Sequence, residues 1–218
     1  MALRKNASPE PPLSAACDSI AHRIDLLSGL VAAHVLRGLD ADIDAILRVS
    51  AARRRADGAG LIIAPLPVAA LADADALDAG AKARGVDPRG LGWELDAAAL
   101  DRTALDGAAR LRARGWALGL RTTPGEAAPL AARDRALFSN VVVAGDWAEA
   151  CACPALQTRL RAAQAVGASV VWAGAHAPDD ARALVAEGYD VVERAGRPVR
   201  QLAMARAPAE HASSFSSR

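Results

Sequence analysis

The chain has 218 residues, of which 52% are hydrophobic and 3% aromatic, so we expect one domain with a large aliphatic core. Its 26 Lys and Arg residues nearly balance 25 Asp and Glu residues, which argues against a nucleic-acid-binding surface. Neither an uninterrupted apolar stretch of about 18 residues nor a signal-peptide pattern is found. We therefore expect a cytoplasmic protein that does not insert into a membrane.

Both ends of the chain are predicted to be flexible. Residues 1–15 carry Pro9, Pro11 and Pro12 among small polar residues, and residues 205–218 hold almost nothing to bury. We predict one folded domain between them, over residues 16–204.

The predicted domain begins with a hairpin, because two apolar runs at residues 24–27 and 30–36 flank Ser28-Gly29. A helix over residues 40–55 follows, and then strands alternate with helices. The further strands are predicted at residues 61–64, 91–95, 116–120, 141–144, 170–172 and from 191, and the helices at 68–84, 101–114, 124–135, 154–166 and 179–187.

Apolar strands that alternate with helices predict a parallel sheet covered on both faces. Eight strands fit a closed α/β barrel of the TIM-like (β/α)8 type. A doubly wound sheet has the same local pattern, and periodicity alone favours the barrel only modestly.

Cys17, Cys151 and Cys153 are too few for a disulfide framework. The Cys151-x-Cys153 pair lacks the further ligands that zinc requires, so we interpret it as packed thiols.

Six short segments carry further landmarks. In chain order they are residues 28–37, which end in Leu36-Arg37; 93–96, Trp-Glu-Leu-Asp; 115–125, from Gly-Trp to Pro-Gly; 141–146; 164–176; and 188–198, which begin Gly-Tyr-Asp. In this order and spacing they resemble the EAL domain of cyclic-di-GMP phosphodiesterases, over roughly residues 24–200. The first segment is similar to the one that carries the family's Glu-Ala-Leu motif, and the second to a strand with a metal-binding Glu. The resemblance implies a barrel whose first strand is antiparallel to its neighbours.

The resemblance also implies a site for two divalent cations, which activate water and neutralise the phosphate. Most of the matching ligand positions lack a suitable side chain here. They fall on Ala33, on Ala64 or Pro65, on Arg121 and Thr122, near Val143 or Ala144, on Ala173 and His176, and on Glu193. Glu94 and Asp146 remain, and Arg121 would place a positive charge where the metals should lie. We therefore expect no catalytic residue, no metal site and no cofactor.

Candidates for binding a ligand remain at the predicted mouth of the barrel, and each has a structural alternative. Glu94 could instead form an ion pair with Arg121. Arg37 could instead cap a strand, and His176 could be a loop residue without function. The ligand-binding candidates are Arg37, Glu94, Arg121, Asp146, His176 and Glu193.

The leading hypothesis is a non-catalytic, EAL-like regulatory or scaffolding protein that acts on a protein partner, in motility or cyclic-di-GMP-linked signalling. One alternative is a receptor that binds cyclic-di-GMP without hydrolysis, and another is a residual phosphodiesterase. A third is an enzyme with different chemistry at the mouth, using Glu94, Asp146, His176 and Glu193. The family also suggests a homodimer, and neither a nucleic acid nor a membrane is expected as a partner.

Overall fold

The structure is a computed structural model that describes residues 19–38, 42–57, 60–125, 130–174 and 181–195. The two predicted flexible ends, residues 1–15 and 205–218, lie outside the described residues.

The strands close into one barrel in sequence order. The first strand, β1 (Ser19–Asp25), is antiparallel to both of its neighbours, β2 (Val31–Arg37) and β8 (Val191–Ala195). All other neighbours are parallel; these strands are β3 (Leu61–Pro65), β4 (Leu91–Asp96), β5 (Ala117–Thr122), β6 (Asn140–Val143) and β7 (Ser169–Trp172). The prediction of a closed eight-stranded barrel with an antiparallel first strand is confirmed.

Helices surround this barrel, and several begin at an aspartate. The carboxylates of Asp73, Asp101 and Asp146 accept hydrogen bonds from free backbone N–H groups in the first turns of α2, α3 and α5. The helices of the described chain are α1 (Ile43–Asp57), α2 (Ala74–Ala83), α3 (Arg102–Ala113), α4 (Ala132–Arg135), α5 (Trp147–Cys151), α6 (Pro154–Gln164) and α7 (Ala181–Ala186).

The predicted hairpin is present, but its first strand was placed too late. Strand β1 ends at Asp25, and residues 26–28 form the turn. The Asp25 carboxylate fixes this turn, because it accepts hydrogen bonds of 2.7 Å from both the backbone N–H and the hydroxyl of Ser28. Gly29 then adopts a positive φ of 68°, which a residue without a side chain does readily.

Two helix predictions also differ from the structure. The helix predicted over residues 68–84 is divided into a 3-10 turn, Val68–Asp73, and α2, because the Asp73 side chain caps a new helix. The helix predicted over residues 124–135 is too long, because residues 124, 125, 130 and 131 are not helical and only α4 is; residues 126–129 lie outside the described ranges. Helix α5 was not predicted.

Strand residues alternate between two cores. Outward side chains such as Ile62, Trp93 and Trp172 pack in clusters with buried helix residues. Inward side chains such as Val35 and Val171 form separate small clusters in the barrel. Among the described residues, no helix is both long and apolar enough to cross a bilayer.

Gly107 allows α3 to pack closely on the 3-10 turn at Val68–Asp73. A methyl group at Gly107 would overlap the backbone carbonyl oxygen of Leu71 and lie 2.8 Å from its Cβ. We expect Gly107→Ala to lower the free energy of unfolding by about 1–3 kcal/mol, because the packed turn must shift. Urea denaturation measures this change.

Gly80→Ala in α2 is the matched control, because an added methyl there meets only the end of the Arg84 side chain, at 3.7 Å. This substitution should raise the free energy of unfolding by about 0.5–1 kcal/mol. A stabilising effect of Gly107→Ala would contradict the close packing.

Candidate functional site at the barrel mouth

Six strands contribute polar side chains to one cluster inside the barrel, which we call the mouth cluster. It reaches the carboxyl-terminal ends of the parallel strands, where Arg37 ends β2 and Arg121 is the penultimate residue of β5, and it extends inward to Asn140, the first residue of β6. Its members are Arg23, Arg37, Glu94, Arg121, Asn140 and Glu193.

Glu94 is at the centre of the mouth cluster, and 2% of its side chain is exposed. Its Oε1 accepts hydrogen bonds from Arg37 Nη1 at 2.9 Å and from Arg121 Nη1 at 3.0 Å, while its Oε2 pairs with Arg23. Burial raises the pKa of Glu94, but the charges of Arg23, Arg37 and Arg121 outweigh it, so the pKa lies below its usual value. The side chain is therefore a carboxylate with both oxygens engaged.

Glu193 forms the second half of the cluster. Arg37 donates to its Oε1 through Nη2 at 2.7 Å and through Nε at 3.1 Å, and Arg23 Nε lies 3.4 Å from its Oε2. Burial lowers the pKa of Arg37, but the charges of Glu94 and Glu193 prevail and raise it. One arginine thus connects both carboxylates.

Sequence analysis missed two members of the mouth cluster, Arg23 and Asn140. Arg23 is 3% exposed, and its Nη1 donates to Asn140 Oδ1 at 3.3 Å. Gly119 lies between Glu94 and Asn140 in the strand register, and a side chain there would overlap the Asn140 amide. The sequence did carry a signal for Arg23. Arg23 lies two positions after Ala21 and therefore on the same inward face of β1, but this strand was predicted to begin only at residue 24.

The structure distributes the positions that match the family's metal ligands over two faces. Ala33 and Ala173 pack inside the barrel, whereas Ala64 and Val143 pack outwards. Thr122 lines a cavity on the outer side.

Four of the predicted ligand-binding candidates, Arg37, Glu94, Arg121 and Glu193, meet in the mouth cluster. The ion pair between Glu94 and Arg121, expected as the structural alternative, is present. Asp146 caps α5 instead, with its Oδ1 accepting from Ala148 N at 2.9 Å and Glu149 N at 3.3 Å. His176 lies outside the described residues.

The described residues of the mouth cluster do not fit a centre of two divalent cations. In the part of the chain that the structure describes, no group of three or more His, Cys, Asp or Glu side chains is arranged to hold a metal. The two carboxylates of the mouth cluster are shared by three guanidinium groups, which leaves a net positive charge that repels cations. Cys151 and Cys153 are free thiols, and the latter's Sγ lies 3.5 Å from the carbonyl oxygen of Pro124.

No protein-family model matches the sequence, and no curated protein matches it. Solved structures match the fold. The EAL domain of Mycobacterium smegmatis DcpA has a TM-score of 0.61 at 15% sequence identity, over 80% of this chain and 86% of that one. This chain has the fold of EAL domains.

Two longer proteins give the same result. The Bacillus subtilis YkuI protein, with an EAL domain in complex with substrate cyclic-di-GMP and calcium, has a TM-score of 0.59 at 12% identity, over 80% of this chain and 53% of that one. The EAL enzyme Bd1971, in its form bound to cAMP and cyclic-di-GMP, has a TM-score of 0.57 at 12% identity, over 80% of this chain and 59% of that one. This chain therefore spans less than two thirds of either protein.

Glu94→Gln should destabilise the protein strongly at neutral pH. Removing one partner of a buried ion pair leaves the other charges uncompensated, which costs about 3–5 kcal/mol. The folded-state pKa of Glu94 is lowered, so its carboxylate stabilises the fold above the unfolded value of about 4.3, and this stabilisation is lost as the pH falls through the lower folded pKa. Urea denaturation of the unsubstituted protein and of Glu94→Gln should show a difference in the free energy of unfolding that is smaller at pH 3 than at pH 7.

Glu149→Gln provides the control, because Glu149 is an exposed residue in the first turn of α5. Its effect should stay below about 1 kcal/mol. A Glu94→Gln protein as stable as this control at pH 7 would show that the mouth cluster does not hold the barrel together.

Proposed function

We propose that the protein is a non-catalytic EAL-type barrel that regulates other proteins by binding them, in the cytoplasm and in motility or cyclic-di-GMP-linked signalling. The observation that carries this proposal is the saturation of Glu94 by Arg23, Arg37 and Arg121. The fold of solved EAL domains supports the link to cyclic-di-GMP, since YkuI and Bd1971 are described with this nucleotide bound.

Electrostatics at the mouth supports the absence of hydrolysis. A metal-dependent phosphodiesterase needs negatively charged oxygens that are free to hold cations, and the cations then activate water. Here Glu94 and Glu193 already accept hydrogen bonds from arginines that do not lose their charge. Binding a metal would require these ion pairs to break.

The tip of the β1–β2 hairpin is a candidate surface for a protein partner. Leu27 and Leu30 flank Ser28-Gly29 and are 68% and 69% exposed, the highest exposures among the large hydrophobic side chains that the structure describes as exposed. The Asp25 side chain holds this turn in place through its hydrogen bonds to Ser28. Apolar side chains on a preformed turn lose little entropy when they insert into a partner.

A receptor that binds cyclic-di-GMP without cleaving it is the second candidate. Arg121 and Arg37 have 34% and 23% of their side chains exposed, so both reach the surface of a cluster with a net positive charge. Guanidinium groups bind phosphate oxygens with paired hydrogen bonds.

The test of catalysis is incubation of the purified protein with cyclic-di-GMP and either magnesium or manganese, with product measured by chromatography. No product above the buffer blank is expected. Hydrolysis that disappears with a chelator and in Glu94→Gln would refute the proposal.

Calorimetric titration with cyclic-di-GMP in the presence of a chelator separates the two candidates. The scaffold predicts no heat at tens of micromolar ligand, where a binding free energy would be about −6 to −7 kcal/mol. Heat that is lost in Arg121→Gln would instead establish the receptor.

The partner surface is tested by substituting both leucines, Leu27→Ser and Leu30→Ser, in a tagged protein recovered from cross-linked source cells. We expect the double variant to recover its specific partner in an amount lower by about tenfold or more, as when a central apolar anchor is removed from an interface. The control is Val166→Ser with Val185→Ser, which changes two exposed side chains elsewhere. Equal recovery by both double variants would exclude the hairpin tip as the interface.

A further inference from the structure

Two histidines meet on the outer face of the β1–β2 hairpin. His22 and His34 are directly opposite each other in the antiparallel register. Their neighbours Ala21 and Ala33 pack inside the barrel, and side chains alternate along a strand, so both imidazole rings lie on the outer side. Both residues are partly exposed. We call them the histidine pair.

The two rings of the histidine pair face each other through the same kind of atom. Nδ1 of His22 lies 3.0 Å from Nδ1 of His34. The ring centroids are 5.0 Å apart and the ring planes are inclined at 76°, so both nitrogens are on the facing edges of their rings. In this contact one nitrogen donates and the other accepts, so the pair holds one proton between two potential metal ligands.

The spacing of these nitrogens is also the one that two imidazoles have on a single metal ion. At metal–nitrogen distances of about 2.0–2.1 Å, nitrogens 3.0 Å apart subtend an angle of roughly 90–100° at the metal. That angle fits adjacent positions of a square-planar or tetragonal centre, which is typical of Cu²⁺ and Ni²⁺. A structural zinc ion favours a tetrahedral angle of about 109° and requires further protein ligands.

The protonation of His22 favours metal binding at neutral pH. Burial lowers the pKa of the His22 imidazole, and the positive charge of Arg53 in α1 lowers it further. An imidazole binds a metal only in its neutral form, which carries its proton on either Nδ1 or Nε2. When the proton of each ring is on Nε2, both rings present a lone pair at Nδ1. Gly60 has no side chain beside Nε2 of His34, where a methyl group would lie 3.3 Å away.

We propose that the histidine pair is a binding site for a divalent metal ion of the nickel and copper class. The Nδ1 atoms of His22 and His34 would fill two adjacent positions on the metal. The hairpin fixes both rings, so the second nitrogen is already in place when the first has bound, which strengthens the interaction. The proposal is independent of the function proposed above, because it involves neither the mouth cluster nor the leucines of the hairpin tip.

The charges around the histidine pair determine the best probe. Arg53 acts on His22 through its charge, and Arg194 is opposite His22 in the β1–β8 register. A positive charge repels a bare cation, whereas a carboxylate chelator neutralises the metal that it holds. Nickel nitrilotriacetate carries a net negative charge and has two adjacent open positions for the imidazoles. Nickel also avoids the oxidation by copper of the free thiols of Cys151 and Cys153.

The experiment is calorimetric titration of the full chain, prepared without a histidine tag, with nickel nitrilotriacetate. We expect one saturable site. His22→Gln and His34→Gln should each weaken binding by at least about tenfold, which is the lower end of what losing even a supporting residue costs a metal site. His176→Gln removes an imidazole from another segment and should leave the affinity unchanged.

The single variants also distinguish one shared site from two separate ones. If each histidine bound metal alone, either single variant would keep one site of unchanged affinity. Circular dichroism and thermal unfolding check that each variant folds. The proposal fails if nickel nitrilotriacetate gives no saturable heat at millimolar concentration, if a folded single variant binds as tightly as the unsubstituted protein, or if His176→Gln weakens binding as much as His22→Gln.

Discussion

Two carboxylates and three guanidinium groups share the interior of the barrel, where an isolated charge would be very unfavourable. Each charge is tolerated there because its neighbours replace the water that it has lost. The arrangement connects Arg23 on the antiparallel strand with Glu94 on β4 and Glu193 on β8. It is a constraint as well as a source of stability, because any ligand that enters the mouth must leave these pairs intact or exchange partners with them.

Because of this constraint, the side chains that build the fold are different from those that determine what the mouth can bind. The apolar outer faces of the strands need only pack against helices, and they do so with Trp93 and Trp172 fully buried. The inner faces determine what can bind, and here their charged positions satisfy one another. The same EAL-type architecture can therefore carry different residues at its mouth, since fold alone does not specify function.

The sequence predicted the parts of the structure that depend on local pattern. Strands β3 and β4 were predicted nearly to the residue because each is a short apolar run between turn residues. The pair of Glu94 and Arg121 could be predicted because both lie near the ends of neighbouring strands. Arg23 could not, since its partners lie 71 and 170 positions away in the sequence, Glu94 across the barrel interior and Glu193 on the neighbouring strand β8.

The antiparallel pairing of β1 with β8 has a consequence for how the chain folds. Asp25 is opposite Val191 in the register, so the final seam joins the two ends of the domain. During synthesis the β1–β2 hairpin can form early, because its contacts are local. The ring cannot be completed until β8 has left the ribosome. Closing the barrel is slow, because β1 and β8 are far apart in the sequence and their contacts have a high contact order. Until the barrel closes, one edge of β1 remains open to pairing with another chain.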